Sequence, residues 1–305
     1  MHDLIIVGGG AAALAAAAYG LDKQLDVRLV AEHLGGKAGW QHHAPELQPA
    51  PQSAGEDVVH LLRERISQRS ELVLNDVVTA ITKANGVFQI ETKHHGREEA
   101  QAIIIATGVT PIALDVPGGK ELLGYGLGYS AATHAQELRG TVAAAIGSTT
   151  RAMRGVHELS RIATMVYWIG PSVKELMSPL GMGLQYRHNV KVFEGFRVVE
   201  VIGTKRVEVI MVERAGEVQR LEVDGAFVDL GLKPNSALVE DLVGRNAEGF
   251  IQIADSGATS LPGLYAAGDV TTAFGEQLLV AVGQGAHAAI SAYDYVLSRT
   301  TARDT

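Results

Sequence analysis

The residues whose spacing most clearly suggests chemistry are Gly8, Gly10 and Ala13, which follow directly on a short apolar run. A glycine at the first position permits a tight turn, and a glycine at the second has no Cβ to keep a pyrophosphate away from the backbone. An alanine at the third position lets the following helix lie close to the preceding strand. Because the N–H groups and positive dipole end of such a helix attract phosphate, this spacing predicts a dinucleotide site.

The elements needed to position this turn occur in the right order. Residues 4–7 are apolar and β-branched, as in a buried parallel strand, and residues 11–19 are an alanine-rich helical run. A second strand at 27–31 ends at Glu32, whose carboxylate can accept hydrogen bonds from both hydroxyls of an adenosine ribose. A glycine motif alone is weak evidence, but all four features together favour dinucleotide binding over a turn that merely packs a helix.

Composition sets the class of protein. A chain of 305 residues with 47% apolar and 20% charged residues predicts about two globular domains. The net charge of −8 argues against nucleic acid and anionic membrane surfaces as partners, but not against a protein partner. No apolar run approaches the ~18 residues of a membrane span, and because the first strand begins at once we expect no signal peptide. We therefore expect a cytoplasmic protein.

The absence of cysteine is the most informative single feature of the composition. Disulfides, thiolate metal sites and cysteine nucleophiles are thereby excluded within these 305 residues.

Residues 34–43 form a glycine-containing loop in which Trp40, His42 and His43 are placed to reach a ring system. A surface loop with a buried tryptophan is the alternative, and for the two histidines it is slightly favoured. A histidine pair without a third ligand does not predict a metal site.

Two segments further along suggest that the dinucleotide is FAD. An apolar strand at 101–105 leads into Ala106, Thr107 and Gly108, and a short strand at 264–266 delivers Gly268 and Asp269. An aspartate there can accept hydrogen bonds from a ribityl chain, and a helix predicted at 277–297 can direct its N-terminus at the pyrimidine edge of a flavin. Each segment alone is compatible with turn chemistry. Convergence of these two segments and the Gly8–Ala13 turn on one ligand indicates FAD rather than NAD.

With these motifs in place, the chain resembles low-molecular-weight thioredoxin reductases and the thioredoxin-reductase-like part of alkyl hydroperoxide reductase flavoproteins, nearly from end to end. Residues 224–235 and 277–286 resemble further segments of that family. The resemblance implies an α/β fold with two Rossmann-like, doubly wound, three-layer domains, the second inserted into the first. It places an FAD domain at 1–112 and 242–305 and an inserted NAD(P)-binding-like domain at 113–241. It also implies a homodimer.

The residues expected to hold the cofactor lie in the FAD domain on both sides of the insertion. They are Gly8, Gly10, Ala11, Ala13, Glu32, Gly36, Lys37, Val78, Ala106, Thr107, Gly108, Gly268, Asp269, Glu276, Gln277 and Leu278. Glu276 stands where the family usually has arginine or lysine, and a carboxylate near the pyrimidine edge would disfavour the anionic reduced flavin if it points that way.

The inserted domain departs from the family at each place where the family does chemistry. The two redox cysteines would fall on Ser130 and Thr133, and the acid on His134. Hydroxyl groups form neither a disulfide nor an attacking thiolate, so dithiol–disulfide exchange is excluded. These three side chains either form a polar surface over the flavin ring or only fill the vacated space, and the sequence favours neither.

The nucleotide motif of the inserted domain is also altered. Thr149 stands where the family has glycine, and its Cβ would crowd a pyrophosphate. The family's His-Arg-Arg cluster for the 2′-phosphate of NADPH is replaced by Gly170, Pro171 and Ser172, with only Lys174 nearby. Arg151 and Arg154 are minor candidates for taking over that phosphate. NAD(P)H binding is therefore expected to be weak or absent.

The sequence thus predicts an FAD-binding, thioredoxin-reductase-like oxidoreductase without a redox disulfide, with the flavin as its sole redox centre and a protein as one candidate electron donor or acceptor. The alternative is a non-catalytic FAD-binding module whose inserted domain is an interaction surface. A ferredoxin–NADP reductase of this fold ranks lower because the 2′-phosphate site is missing. A ferredoxin-dependent thioredoxin reductase ranks lower because the cysteines are missing.

Overall fold

A computed structural model of the chain describes residues 1–39, 53–129 and 131–301, with the backbone alone at 38, 39, 132, 133, 300 and 301. Within these ranges the chain divides into two compact units. Unit 1 comprises residues 1–39, 53–110 and 233–301, and unit 2 comprises 111–129 and 131–232. Unit 2 is therefore an insertion in the chain of unit 1.

The secondary structure alternates between strands and helices over most of the chain. The strands are β1 (His2–Val7), β2 (Val27–Val30), β3 (Val73–Leu74), β4 (Val78–Ala84), β5 (Val87–Thr92), β6 (Gly96–Ile105), β7 (Val109–Pro111), β8 (Leu127–Gly128), β9 (Val142–Ile146), β10 (Met165–Ile169), β11 (Val190–Phe193), β12 (Arg197–Gly203), β13 (Val207–Arg214), β14 (Glu217–Glu222), β15 (Gly225–Val228), β16 (Leu232–Pro234) and β17 (Leu264–Ala266). The α-helices are α1 (Ala11–Asp22), α2 (Ala54–Ser67), α3 (Ala131–His134), α4 (Thr150–Ser160), α5 (Val173–Leu176), α6 (Pro179–Gln185) and α7 (Leu278–Thr301). Short 3-10 turns occupy Gly36–Gly39, Ser70–Leu72, Ala135–Leu138 and Ala237–Val239.

The main sheet of unit 1 has the strand order β3-β2-β1-β6-β5-β4, with β17 also pairing with β6. Strand β1 is parallel to both neighbours, so that Val7 lies opposite Val30 on one side and Ile105 on the other. The carboxyl ends of these three strands therefore meet at one edge of the sheet, where parallel α/β sheets bind their ligands. Both faces of β1 are buried, which explains its continuous apolar sequence.

Helix α1 packs closely against α7 because both helices present small residues. Ala13, Ala16 and Ala17 of α1 are fully buried. A Cβ on Gly285 of α7 would lie 2.1 Å from the carbonyl oxygen of Ala12, so a side chain there would push the helices apart. The alanine-rich sequence thus serves close packing as well as helix propensity.

Unit 2 repeats this plan on a smaller scale. Its parallel sheet has the order β11-β10-β9-β15-β8, and a separate antiparallel sheet has the order β12-β13-β14. Strand β9 lies between β10 and β15, with Ile146 opposite Ile169 and Val228. Helix α4 follows β9 directly, as α1 follows β1. Both units have the Rossmann-like α/β architecture expected from the sequence.

The second junction between the units lies at 232/233, earlier in the chain than the expected 241/242. Residues just after the junction are held by unit 1. The backbone N–H of Asn235 donates to the carbonyl of Gly108 at 3.0 Å, and its side-chain amide donates to the carbonyl of Thr107 at 2.9 Å. Val239 and Val243 are buried in the same core as Ile5 and Val7.

Asp76 lies between strands β3 and β4. Its side chain is fully buried and accepts hydrogen bonds from the backbone N–H groups of Val77, His94 and His95, and contacts His95 Nδ1 at 2.8 Å. Burial alone would raise the pKa of the Asp76 carboxyl, but these hydrogen bonds outweigh it and hold the pKa well below its usual range. Asp76 thereby ties the start of β4 to the turn after β5.

We expect Asp76→Asn to lower the stability of the protein more at pH 7 than at pH 3. The lowered pKa means that the carboxylate stabilises the fold above the unfolded value of about 4 and loses this effect as the pH falls towards the folded value. The gap between wild type and variant should therefore narrow below pH ~4. Urea unfolding at both pH values measures it, with exposed Asp255→Asn as the control. An equal gap at both pH values would contradict this account.

Candidate functional site

The glycine turn of unit 1 is fixed by close backbone contacts. Gly8 has φ +123°, a region that favours glycine, and its N–H donates to the carbonyl of Val30 at 2.9 Å. A Cβ on Gly8 would lie 2.3 Å from the carbonyl oxygen of Ala106. Gly8 is therefore required where the end of β1 turns against the end of β6.

Gly10 has a different reason to be glycine. It is the N-cap of α1 with φ −80° and has no side chain to cap the first turn. A Cβ there would meet only the Cα of Gly36, at 4.0 Å. The backbone would accept a side chain at Gly10, and the space in front of α1 is open to a ligand. We call the residues Gly8–Ala13 together with Gly36 the α1 cradle.

The α1 cradle suits a phosphate group. The first N–H groups of an α-helix, here including those of Ala11 and Ala13, have no partner within the helix. With no capping side chain they are available to an anion, which the helix dipole also favours. Gly36 closes the other side with φ +55°, and a Cβ on it would lie 2.8 Å from the Cα of Gly10. The residues present thus fit the pyrophosphate of a dinucleotide.

Glu32 lies at the same edge of the sheet. It follows β2, whose last residue Val30 is in register with Val7, and it is exposed. Its carboxylate stands beyond the strand next to β1, where the acid of a dinucleotide site contacts the ribose.

Gly268 and Asp269 are brought to the α1 cradle by β17. A Cβ on Gly268 would lie 3.0 Å from the Cβ of Ala12, and its N–H donates to Oε1 of Gln284 at 2.7 Å. Asp269 Oδ2 lies 2.5 Å from Nζ of Lys37. Asp269 and Lys37, two predicted site residues far apart in sequence, therefore form an ion pair.

Thr107 and Gly108 leave β6 beside the glycine turn and are held by Asn235. The Thr107 hydroxyl donates to the carbonyl of Asn235 at 2.7 Å. Thr110 Oγ1 also donates to the side-chain oxygen of Asn235 at 2.9 Å. Asn235 thereby fixes the segment that follows Ala106.

Four further predicted residues lie in the core of unit 1 or at the start of α7. Val78 is 8% exposed and contributes its side chain to the core of unit 1. Leu278 begins α7, one residue later than predicted, and packs against the start of α2, where a Cβ on Gly55 would lie 2.8 Å from its own Cβ. Glu276 and Gln277 are exposed just before that helix.

Not all predicted residues lie within the described part of the chain. Trp40, His42, His43 and Ser130 lie outside the described residues, and Thr133 is described only by its backbone in α3. His134 ends α3, and its Nδ1 lies 3.1 Å from Oε1 of Glu137. Both side chains are largely buried, with exposures of 21% and 13%.

The glycine turn of unit 2 is closed by its own side chains. Thr149 is the N-cap of α4, and its hydroxyl oxygen accepts the N–H of Ala152 at 2.9 Å. The same hydroxyl donates to Oδ1 of Asp229 at 3.1 Å. Asp229 Oδ2 lies 3.3 Å from Nε of Arg151, which also donates to the carbonyl of Tyr129 at 2.7 Å. Arg151 is therefore already engaged inside unit 2, while Arg154 is exposed on α4.

The segment after β10 is organised around a carboxylate. Glu175 accepts hydrogen bonds from the hydroxyl and the backbone N–H of Ser172, the latter at 3.1 Å, forming the capping box of α5. The Ser172 hydroxyl holds the pKa of Glu175 below its ordinary value. Lys174 beside it is exposed. A carboxylate thus organises the segment in which the resemblance placed the family's 2′-phosphate cluster.

Sequence reasoning missed Asn235, Gln284 and Asp229. The first two lie inside segments that resemble the family, at 224–235 and 277–286, but no spacing rule assigns a partner to an amide side chain. Asp229 directly follows a buried strand, which is the same signal that identified Glu32, so the sequence did carry a sign of it.

Neither a metal cluster nor a membrane span was found within the described ranges. No group of three or more histidine, cysteine or acidic side chains placed to hold a metal ion occurs in residues 1–39, 53–129 and 131–301. In the same part of the chain no helix is long and apolar enough to cross a membrane.

Comparison with known proteins agrees with this geometry. The F subunit of alkyl hydroperoxide reductase in Staphylococcus epidermidis is 29% identical over 300 residues, which are 97% of this chain and 59% of that protein. Thioredoxin reductase from Streptococcus pyogenes matches with a TM-score of 0.82 at 24% identity, covering 98% of this chain and 99% of that one. Thioredoxin reductase from Giardia duodenalis gives 0.83 at 22% identity, covering 97% and 99%.

At these identities the two solved structures show the fold alone. The chain spans only about three fifths, 59%, of the length of the alkyl hydroperoxide reductase protein that it matches. The family model described as pyridine nucleotide-disulphide oxidoreductase matches residues 2–285, and so covers both units. The predicted fold class and resemblance are confirmed, and the chain, although it contains no cysteine, belongs to the pyridine nucleotide-disulphide oxidoreductase family.

Proposed function

We propose that this chain is an FAD-binding oxidoreductase of the thioredoxin reductase type that works without a redox disulfide and recognises NADPH poorly. The observation that carries the proposal is the contrast between two helix starts. The N-terminus of α1 is left uncapped by Gly10, whereas that of α4 is capped by Thr149. Unit 1 therefore offers backbone N–H groups to a dinucleotide. In unit 2 one such group, the N–H of Ala152, already donates to the Thr149 hydroxyl.

FAD suits unit 1 because groups for its pyrophosphate, its adenosine ribose and its ribityl chain lie at one sheet edge. The α1 cradle would take the pyrophosphate and Glu32 the adenosine ribose. Asp269, beside Gly268, would take hydroxyls of the ribityl chain, sharing its carboxylate with Lys37. The bound flavin would supply the transfer of one or two electrons, which no side chain in the sequence provides.

In a disulfide reductase, electrons pass from the flavin to a second redox centre, a pair of cysteines. This sequence contains no such centre. The 305 residues include no cysteine, and hydroxyl groups at Ser130 and Thr133 do not undergo thiol exchange. We therefore propose that electrons leave to a partner protein or to a small acceptor. A cytoplasmic homodimer without nucleic-acid or membrane partners is part of the same proposal, on family resemblance and net charge.

Weak NADPH recognition is supported by two places in unit 2. Thr149 caps α4 with its own hydroxyl, so a phosphate would have to displace it. Beyond β10, Glu175 accepts from Ser172 in place of arginines that would donate to a 2′-phosphate. Losing two charge-assisted hydrogen bonds of ~1.5–3 kcal/mol each removes about two orders of magnitude or more in affinity.

The capped α4 also favours a second candidate, a non-catalytic FAD-binding module whose unit 2 is an interaction surface. A screen of electron donors and acceptors separates the two. Turnover with any specific protein or small-molecule pair supports the oxidoreductase. FAD that is reduced only by light or dithionite, with no turnover, supports the module.

We expect the purified chain to carry stoichiometric FAD and Gly10→Val to lose it. Valine fits the backbone at this position, where φ is −80° and a Cβ would lie 4.0 Å from the Cα of Gly36. The fold should therefore survive while the side chain occupies the phosphate position. Flavin released by denaturation, identified by chromatography, measures this. The control is Gly183→Val, another site where a Cβ meets nothing within 4 Å. Release of FMN, or full FAD retention by Gly10→Val, would refute the assignment.

We expect no reduction of thioredoxin or of disulfide dyes by the wild type with any electron donor, because no thiol pair relays electrons. The double variant Ser130→Cys and Thr133→Cys should allow a disulfide to form, detectable by thiol titration. It should not restore NADPH-driven turnover, since the nucleotide site is a separate change. Robust NADPH-dependent disulfide reduction by the wild type would overturn the proposed function.

We expect NADH and NADPH to reduce the bound flavin slowly and with little preference, while dithionite reduces it readily. Neither nucleotide finds a phosphate clamp in unit 2, so the 2′-phosphate confers no advantage. Stopped-flow absorbance with each reductant measures the rates. Reduction by NADPH that saturates in the micromolar range and is about tenfold faster than by NADH would mean that a clamp exists.

A further inference from the structure

The two glycine turns of the chain are equivalent position by position. Gly8 donates its N–H to the last residue of β2, and Gly147 donates to the last residue of β10, both at 2.9 Å. Both glycines have positive φ, +123° and +144°. Two residues further on, Gly10 and Thr149 are the N-caps of α1 and α4. Each turn can therefore be compared directly with the other.

The equivalence extends to the residue that follows the neighbouring strand. Ala106 follows β6, and its N–H donates to the carbonyl of Val7 at 2.8 Å. Asp229 follows β15, and its N–H donates to the carbonyl of Ile146 at 2.7 Å. A Cβ on Gly8 would lie 2.3 Å from the Ala106 carbonyl oxygen, and one on Gly147 2.0 Å from that of Asp229. A methyl group in unit 1 thus corresponds to a carboxylate in unit 2.

We propose that Asp229 is a specificity-determining residue that closes the N-terminus of α4 to the phosphate groups of pyridine nucleotides. This inference rests on the proposed function and names the residue responsible for poor nucleotide recognition. Where unit 1 has glycine and alanine, unit 2 has threonine and aspartate, and these two side chains are hydrogen-bonded to each other at 3.1 Å. Together they place a hydroxyl and a negative charge where a dinucleotide-binding turn leaves room for pyrophosphate.

The carboxylate is held there from two sides. The Thr149 hydroxyl binds Oδ1, and the Arg151 guanidinium binds Oδ2 at 3.3 Å while also donating to the carbonyl of Tyr129. The Asp229 side chain is only 11% exposed. An incoming phosphate would have to separate these groups and would then face a buried like charge.

Burial raises the pKa of the Asp229 carboxyl, and the Arg151 guanidinium opposes that effect. The ion pair with Arg151 therefore opposes the effect of burial on this carboxyl without cancelling it.

Nucleotide binding to the purified 305-residue chain with its bound flavin tests the proposal. Isothermal titration calorimetry with NAD⁺ and NADP⁺ gives dissociation constants without any redox turnover. We expect millimolar or undetectable binding by the wild type and a gain of about tenfold or more for both nucleotides in Asp229→Ala, the residue of unit 1. The double variant Thr149→Gly and Asp229→Ala, which reproduces the unit 1 turn at both positions, should gain further.

Two variants serve as controls. Asp229→Glu keeps the negative charge, so its dissociation constants for NAD⁺ and NADP⁺ should remain those of the wild type. Asp224→Asn removes a carboxylate that precedes β15, at the other end of the strand, where it accepts from the N–H of Val142 at 2.9 Å, and should leave both dissociation constants unchanged. Affinity for adenosine, which has no phosphate, should not change in any variant. If Asp229→Ala does not fold, Asp229→Asn, which keeps the side-chain shape, replaces it.

Three results would overturn the inference. One is micromolar binding of NADP⁺ or NAD⁺ by the wild type. Another is an Asp229 variant that folds and gains no affinity, which would leave the proposed function standing on the other changes in unit 2. The third is an equal gain for adenosine, which would make the effect one of shape alone. Absence of FAD from the purified protein would instead refute the proposed function and not this inference.

Discussion

The unpartnered N–H groups at the start of α1 are the constraint on which the rest of unit 1 depends. A helix start inside a protein needs a side chain, water or a ligand for these donors. Gly8 presses the turn against Ala106, and Gly268 lies against Ala12, while Gly10 provides no cap. Gly285 lets α7 approach the same turn of α1. The apolar core on both faces of β1 thus positions the uncapped start of α1. The small residues around that start leave its N–H groups accessible to a ligand.

Unit 2 shows what the same scaffold becomes when the donors are satisfied internally. A side-chain N-cap such as Thr149 stabilises a helix by ~1 kcal/mol. Asp229 adds a carboxylate near the positive end of the α4 dipole, which attracts negative charge. The groups that stabilise this turn without a ligand are therefore the groups that a phosphate would have to displace.

Most of the differences that the family resemblance indicates lie in unit 2, with Glu276 of unit 1 as the exception. The positions at which the resemblance places the redox pair, the turn glycine and the 2′-phosphate cluster carry other residues, whereas unit 1 has the glycine turn, Glu32 and the Gly268–Asp269 pair. The proposed flavin chemistry therefore belongs to unit 1.

The sequence by itself determined the α/β class, both glycine turns and the loss of thiol chemistry, because strand apolarity, glycine spacing and the absence of cysteine are local or compositional properties. It did not reveal the role of Asp76, which accepts hydrogen bonds from the backbone of the turn after β5. Nor did it pair Lys37 with Asp269, or Thr149 with Asp229. Those contacts join residues far apart in the chain, and only the register of the parallel strands decides which side chains meet at the sheet edge.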